Sequence, residues 1–225
     1  MMHQKRSKKI LLFFFLFLLI GTYNNKNFTF NSFGTIDEII ISGLEDNDNI
    51  KLKTELSFLR LENLFFLNKE KIEEILKNNN LVEKYSVSKK YPSTVNIKIE
   101  KTTFLALIKK ENINYLLGSN GKLVKSKDKK DKIPMIFGEF NNKYFFDLKS
   151  IVDESNFDYA EIKNLFFFKS GRWDIETNSG ILIKLPKKDL KKSLNFALEI
   201  MNKIQFEKIT KIDLRQKNQV VIDEK

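Results

Sequence analysis

The longest apolar run in the chain is Ile10, Leu11, Leu12, Phe13, Phe14, Phe15, Leu16, Phe17, Leu18, Leu19 and Ile20, unbroken by any polar residue. Lys5, Arg6, Lys8 and Lys9 precede it, no acid occurs in residues 1–9, and Tyr23 closes the segment. At about 1.5 Å per residue, a helix over residues 10–23 reaches about 21 Å, short of a hydrocarbon core of about 30 Å. That length matches the apolar stretch of an export signal. No small-x-small cleavage pattern follows Ile20, however, where the chain reads Gly21-Thr22-Tyr23-Asn24-Asn25. Lys8 and Lys9 can snorkel to one interface, Tyr23 suits the other, and a bilayer thins around a short helix. The expectation is an uncleaved transmembrane anchor over 10–23 with a cytoplasmic tail over 1–9 and an exported remainder; a cleaved signal is the alternative.

Beyond the run the pattern changes. Residues 24–34 are rich in Asn and read as a linker. Ile36, Ile39, Ile40 and Ile41 make a strand that Gly43 ends, and Ile50, Leu52, Leu56 and Leu59 mark a helix over Asp46 to Leu59. Asn68 is placed as an N-cap for a second helix with Ile72, Ile75 and Leu76 on one face, stopped by Asn78-Asn79-Asn80. Tyr85 to Ser88 alternates, Tyr91-Pro92-Ser93-Thr94 turns, and Val95, Ile97 and Ile99 line the buried side of a last strand. The first unit, 35–103, therefore runs β-α-α-β-β.

The second unit, 104–225, reads as mostly antiparallel β with one long helix. Asn114 to Leu117 and Lys122 to Lys125 flank a Gly/Asn turn and predict a hairpin. Ile133 to Gly138 reads as an edge-like strand, because Pro134 cannot donate to a ladder. A short helix is expected over Phe145 to Val152, and strands over Leu165 to Phe168, Arg172 to Thr177 and Ile181 to Leu185. Leu190, Leu194, Ala197, Leu198, Met201 and Ile204 form the apolar stripe of a helix from Lys188 to Gln205. Strands over Ile209 to Arg215 and Gln219 to Ile222 finish the chain. The fold class is α+β.

Composition removes several function classes. The 225 residues hold no Cys and one His, His3, which lies in the charged tail. Disulfides, thiolate metal sites and Cys or His catalysis are thereby excluded, and no Ser has a base to activate it. The net charge of +11 rests almost wholly on Lys spread along the chain, with Arg only at 6, 60, 172 and 215. Such a scatter, in a chain rich in Lys, Asn, Ile and Phe, reads as the coding bias of an AT-rich genome rather than a phosphate-reading surface. No catalytic constellation, cofactor or metal is expected, and neither nucleic acid nor a small-molecule substrate.

At this point the residues resemble a known family. Ile39-Ile40-Ile41-Ser42-Gly43, Val87 to Thr94 and Ile97-Lys98-Ile99-Glu100-Lys101 resemble the phrases of a POTRA domain. Ile133 to Gly138, Gly171-Arg172-Trp173-Asp174-Ile175, Gly180, Lys184-Leu185-Pro186 and Ile212-Asp213-Leu214-Arg215 resemble the distal β domain of the FtsQ/DivIB cell-division family. The likeness covers nearly the whole chain. It departs in the short apolar segment, in Lys89 and Lys101 where Arg is common, and in Thr103 where many members carry Pro.

The resemblance implies a non-enzymatic, single-pass scaffold of the bacterial inner membrane at the division site, its C-terminal part periplasmic. It also implies capture of a segment of FtsB, in complex with FtsL, by the last strands. Physical chemistry agrees that an unpaired strand edge offers its main chain to a partner. The expected edge is Ile212, Asp213, Leu214, Arg215, Gln216, Lys217 and Asn218, with Arg172 and Trp173 on a neighbouring strand. Trp173 also reads as a core anchor, and Asp213 with Arg215 as a local ion pair. Alternatives are a POTRA component of a secretion or outer-membrane assembly system, and a secreted carbohydrate-binding domain.

Overall fold

The computed structural model of the chain describes residues 3–21, 34–126, 133–203, 209–217 and 219–224. Tyr23, residues 24–33 of the expected linker, residues 127–132, Ile204, Gln205 and Asn218 lie outside these.

The apolar run forms a helix, α1 (His3–Gly21). Its residues from Ile10 to Ile20 are all exposed. None of the described helices is long and apolar enough to cross a membrane, which corrects the expected transmembrane helix. The reason is length: the first turns of α1 are cationic, and the eleven apolar residues rise only about 16 Å.

The β-α-α-β-β reading holds. β1 (Glu38–Ser42) precedes α2 (Asp46–Glu55), a 3-10 turn (Ser57–Leu61), α3 (Glu70–Asn78), β2 (Val82–Lys90) and β3 (Thr94–Lys101). The expected first helix ends four residues early, at Glu55, and continues as the 3-10 turn. The cap position of α3 falls on Lys69, one residue after the expected Asn68, and no side chain caps the helix from there; Asn68 Oδ1 accepts the Glu70 N–H at 2.9 Å from the residue before. Ile72 and Leu76, one turn apart, are fully buried. The strands form one sheet in the order β1-β3-β2, with β1 parallel and β2 antiparallel to β3. Alternation gives this sheet its inner face. Val95, Ile97 and Ile99 point inward, and Tyr85 and Val87 lie opposite Ile99 and Ile97. Leu52, Leu56, Leu59 and Leu64 close the core from the helical side.

A second sheet has nine strands: β4 (Phe104–Lys110), β5 (Ile113–Gly118), β6 (Leu123–Ser126), β7 (Met135–Phe137), β8 (Ile162–Phe168), β9 (Arg172–Thr177), β10 (Leu182–Lys184), β11 (Ile209–Asp213) and β12 (Val221–Glu224). α4 (Asn142–Glu154) lies in the chain between β7 and β8, and α5 (Leu190–Lys203) between β10 and β11. The spatial order is β12-β11-β10-β9-β8-β7-β4-β5-β6.

One expectation holds here and two are corrected. The sheet is mostly antiparallel as read, through β4-β5, β5-β6, β8-β9, β9-β10 and β11-β12, while β4-β7, β7-β8 and β10-β11 are parallel. Each helix returns the chain to a strand running the same way, so a strand-helix-strand segment makes a parallel pair. The short helix expected over Phe145 to Val152 is longer, running from Asn142 to Glu154 as α4, and it covers the sheet beside α5: Phe145, Leu148 and Val152 of α4 and Leu194, Ala197 and Met201 of α5 join one core with Trp173, Ile175 and Ile183. Finally, β7 is central. Pro134 stands just before it, and its carbonyl accepts the Leu107 N–H at 2.8 Å, so the missing donor falls outside the paired residues.

The two sheets meet through the β5–β6 turn. Asn120 Nδ2 donates to the carbonyls of Asn80 and Val82, each at 3.0 Å, and Asn80 Nδ2 donates to Leu123 O at 2.8 Å. The Lys122 ammonium donates to the carbonyls of Lys77 and Asn79 at the end of α3, where a cation complements the helix dipole. Ser119 Oγ and Thr102 Oγ1 donate to Glu83 at 2.7 and 3.0 Å.

Candidate functional site

Alternation along β9 sends Trp173, Ile175 and Thr177 into the core and Arg172, Asp174 and Glu176 to the face away from α4 and α5. Cross-strand register then builds a row on that face: Phe137, Phe166, Asp174, Lys184, Asp213 and Val221, one from each strand between β7 and β12. The row passes from aromatic to charged. The rings of Phe137 and Phe166 stack at 5.1 Å. Lys184 stands between two carboxylates, opposite Asp174 on one side and Asp213 on the other.

The charges are paired. Arg172 Nε donates to Asp174 Oδ1 at 3.1 Å while its guanidinium lies 4.4 Å from the centre of the Phe168 ring. Asp174 is only 3% exposed, and this burial holds its carboxyl above the usual carboxylate range, with Arg172, Lys184 and Arg215 pulling the other way. Asp213 behaves oppositely. Arg215 grips it with Nε at 2.8 Å and Nη2 on the second oxygen, and the Arg215 N–H adds a bond at 3.1 Å. Those donors hold the Asp213 carboxyl below its usual range. The ion pair read between Asp213 and Arg215 is therefore present. Lys211 and Asp223 form a further pair across β11 and β12.

The expected edge moves by one strand. Ile212 and Asp213 lie in β11, which pairs with β10 on one side and β12 on the other. Ile212 is fully buried, Leu214 is 7% exposed and its N–H donates to Lys184 O, and Trp173 packs against Phe140 and Phe167. None of these three presents its side chain outward. Arg215, Gln216 and Lys217 are exposed on the connection to β12, and Asn218 lies outside the described residues. The edge belongs to β12, which pairs only with β11 among the described residues. Val221, half exposed, ends the row on the open face. Asp174, Lys184 and Val221 escaped the sequence reading. Their signal is the period-2 register of β9 and β10, which has meaning only once the strand neighbours are known. Among the described residues, no three His, Cys, Asp or Glu side chains gather as a metal site would need.

A three-stranded β1-β3-β2 sheet with two helices, in tandem with a larger mixed sheet, defines a class: proteins that place a POTRA unit ahead of a second α+β domain. Family models match both parts, the FtsQ-type POTRA domain over residues 34–101 and the C-terminal domain of cell division protein FtsQ/DivIB over residues 106–215. The chain belongs to the FtsQ/DivIB family of cell-division proteins. It is 27% identical over 191 residues to cell division protein FtsQ of Rickettsia bellii, covering 84% of this chain and 72% of that one. FtsQ of Rickettsia prowazekii is 26% identical over 192 residues, with coverages of 83% and 71%. DivIB of Bacillus subtilis is 28% identical over 128 residues, with coverages of 54% and 46%. The solved extracytoplasmic domain of Geobacillus stearothermophilus DivIB is 12% identical at a TM-score of 0.35, covering 46% of this chain and 98% of that one.

Proposed function

We propose that this chain is a non-enzymatic scaffold at the division site that captures another polypeptide along β12. Partner strands add to an open edge because a row of N–H and C=O groups there lacks protein partners. The observation that carries the reading is the position of Val221–Glu224 at the end of a nine-stranded sheet. The captured chain in this reading is FtsB-like, in complex with an FtsL-like protein, which the family resemblance supports. The connection from β11 to β12 supplies specificity, because Arg215, Gln216 and Lys217 are exposed there beside the edge strand. The eleven exposed apolar residues of α1 hold the chain at the inner membrane.

Successive N–H groups in a strand point alternately toward and away from its neighbour. Of Val221→Pro and Ile222→Pro, one therefore removes an outward donor and the other an inward one. In a pull-down with the FtsB/FtsL-like pair, the outward variant is expected to lose capture while keeping its thermal unfolding midpoint. Capture retained by both variants would remove the edge-strand reading.

A further inference from the structure

We infer that the POTRA unit lies on the bilayer through an exposed apolar patch at the end where the chain enters it. The inference rests on the membrane role given to α1 above. Leu61 is 91% exposed and Phe66 87%, and Tyr91 and Phe65 are 59% and 41% exposed. Single exposed apolar residues are ordinary on a soluble surface, but a cluster marks a contact surface. Phe65 and Tyr91 are in contact, their rings 5.2 Å apart, which ties the loop before α3 to the β2–β3 turn, and Leu61 and Phe66 lie on the same short stretch of chain as Phe65.

Position selects the occupant. Gly34 is the first described residue of the unit, and it sits against Phe65 so closely that a Cβ there would lie 2.5 Å from the ring. The Gly34 carbonyl accepts the Leu64 N–H, and Thr35 bridges to Asn63. The patch is thus built around the point of chain entry, 13 residue steps beyond Gly21 at the end of α1. Those steps span at most about 44 Å when fully extended. A unit on so short a tether keeps this end near the surface that α1 engages. The rim chemistry matches a lipid headgroup layer. Lys89 Nζ donates to Phe65 O at 3.2 Å, which sets an ammonium group beside the aromatic pair, and Lys69 Nζ donates to Val87 O at 3.1 Å; Arg60, Glu62 and Glu70 are the other charges on the stretch around Phe65. Aromatic rings beside Lys are the usual composition of a membrane-interface contact.

The chain contains no Cys, so Phe66→Cys carries a single environment-sensitive fluorophore. Phe196→Cys, half exposed on α5, serves as the reference. Each labelled full-length protein is mixed into phosphatidylcholine vesicles containing phosphatidylglycerol, floated on a density gradient, and quenched with aqueous iodide. The label at 66 is expected to emit to the blue and resist iodide, and the label at 196 to stay fully quenchable. Protein that fails to float refutes the membrane role of α1 itself. Protein that floats with position 66 as quenchable as 196 overturns the present inference and leaves α1 untouched, the patch then being a surface for another protein.

Discussion

Asp174 and Asp213 carry the same side chain in one row of one surface, yet their carboxyls move in opposite directions. Burial dominates at Asp174 and hydrogen bonding from Arg215 dominates at Asp213. The consequence for stability has opposite signs. A carboxyl raised in the folded state weakens folding once ionised, and the loss is regained as pH falls toward its unfolded value of about 3.9. Arg172 offsets that loss, so Arg172→Met is expected to raise the Asp174 carboxyl further. The variant should lose about 1–3 kcal/mol at pH 7, with a smaller deficit at pH 4.5, as read by urea unfolding at both values. Equal deficits at the two pH values would show that Arg172 acts through packing on Phe168 instead. Asp213 contributes in the other sense: its stabilisation is present above the unfolded value and disappears as pH falls through the lower folded one. Gly138 shows backbone need rather than charge. Its φ is +101°, and a Cβ would lie 2.3 Å from the Phe167 carbonyl, so only Gly lets β7 approach β8 at its end.

At the scale of elements, the β5–β6 hairpin does two jobs. Its strands extend the large sheet, and its turn docks on the first unit. Asn120 supplies two donors to carbonyls that otherwise need water, so Asn120→Ala is expected to cost about 1–2 kcal/mol and to speed proteolysis between Lys101 and Phe104, where the chain passes from one sheet to the other. An unchanged cleavage rate would mean that Lys122 and Glu83 hold the junction alone. The helices also show how local patterns carry unequal information. The stripe of α5 is legible because Leu190, Leu194, Ala197 and Met201 recur at helical spacing. β4 escaped notice because Phe104–Lys110 holds a continuous apolar stretch, buried on both faces at Ala106, Leu107 and Ile108, with no alternation to read.

For the whole molecule, two separate apolar cores stand behind two sheets, and α1 contributes to neither. Its apolar residues therefore act outside the fold. Phe14→Lys places a charge in the middle of the apolar run and weakens the face that enters the acyl boundary of a bilayer surface. The variant is expected to stay at the bottom of a flotation gradient while its circular dichroism from the two sheets is unchanged. Flotation equal to that of the unsubstituted chain would mean that α1 does not hold the protein to lipid.

Residue order alone determined the β-α-α-β-β unit, the cationic apolar helix ahead of it, the α5 stripe and the absence of thiols. Each depends on spacing within a few residues, and the chain states that spacing directly. Tertiary structure decided that β7 is central, that β11 has neighbours on both sides, and that β12 is left at the edge. It also decided that Lys184 stands between Asp174 and Asp213. Strand order across a sheet follows from which distant segments lie side by side, set by the crossovers through α4 and α5. Hydrophobic alternation shows which face of a strand is buried but not which strand lies beside it.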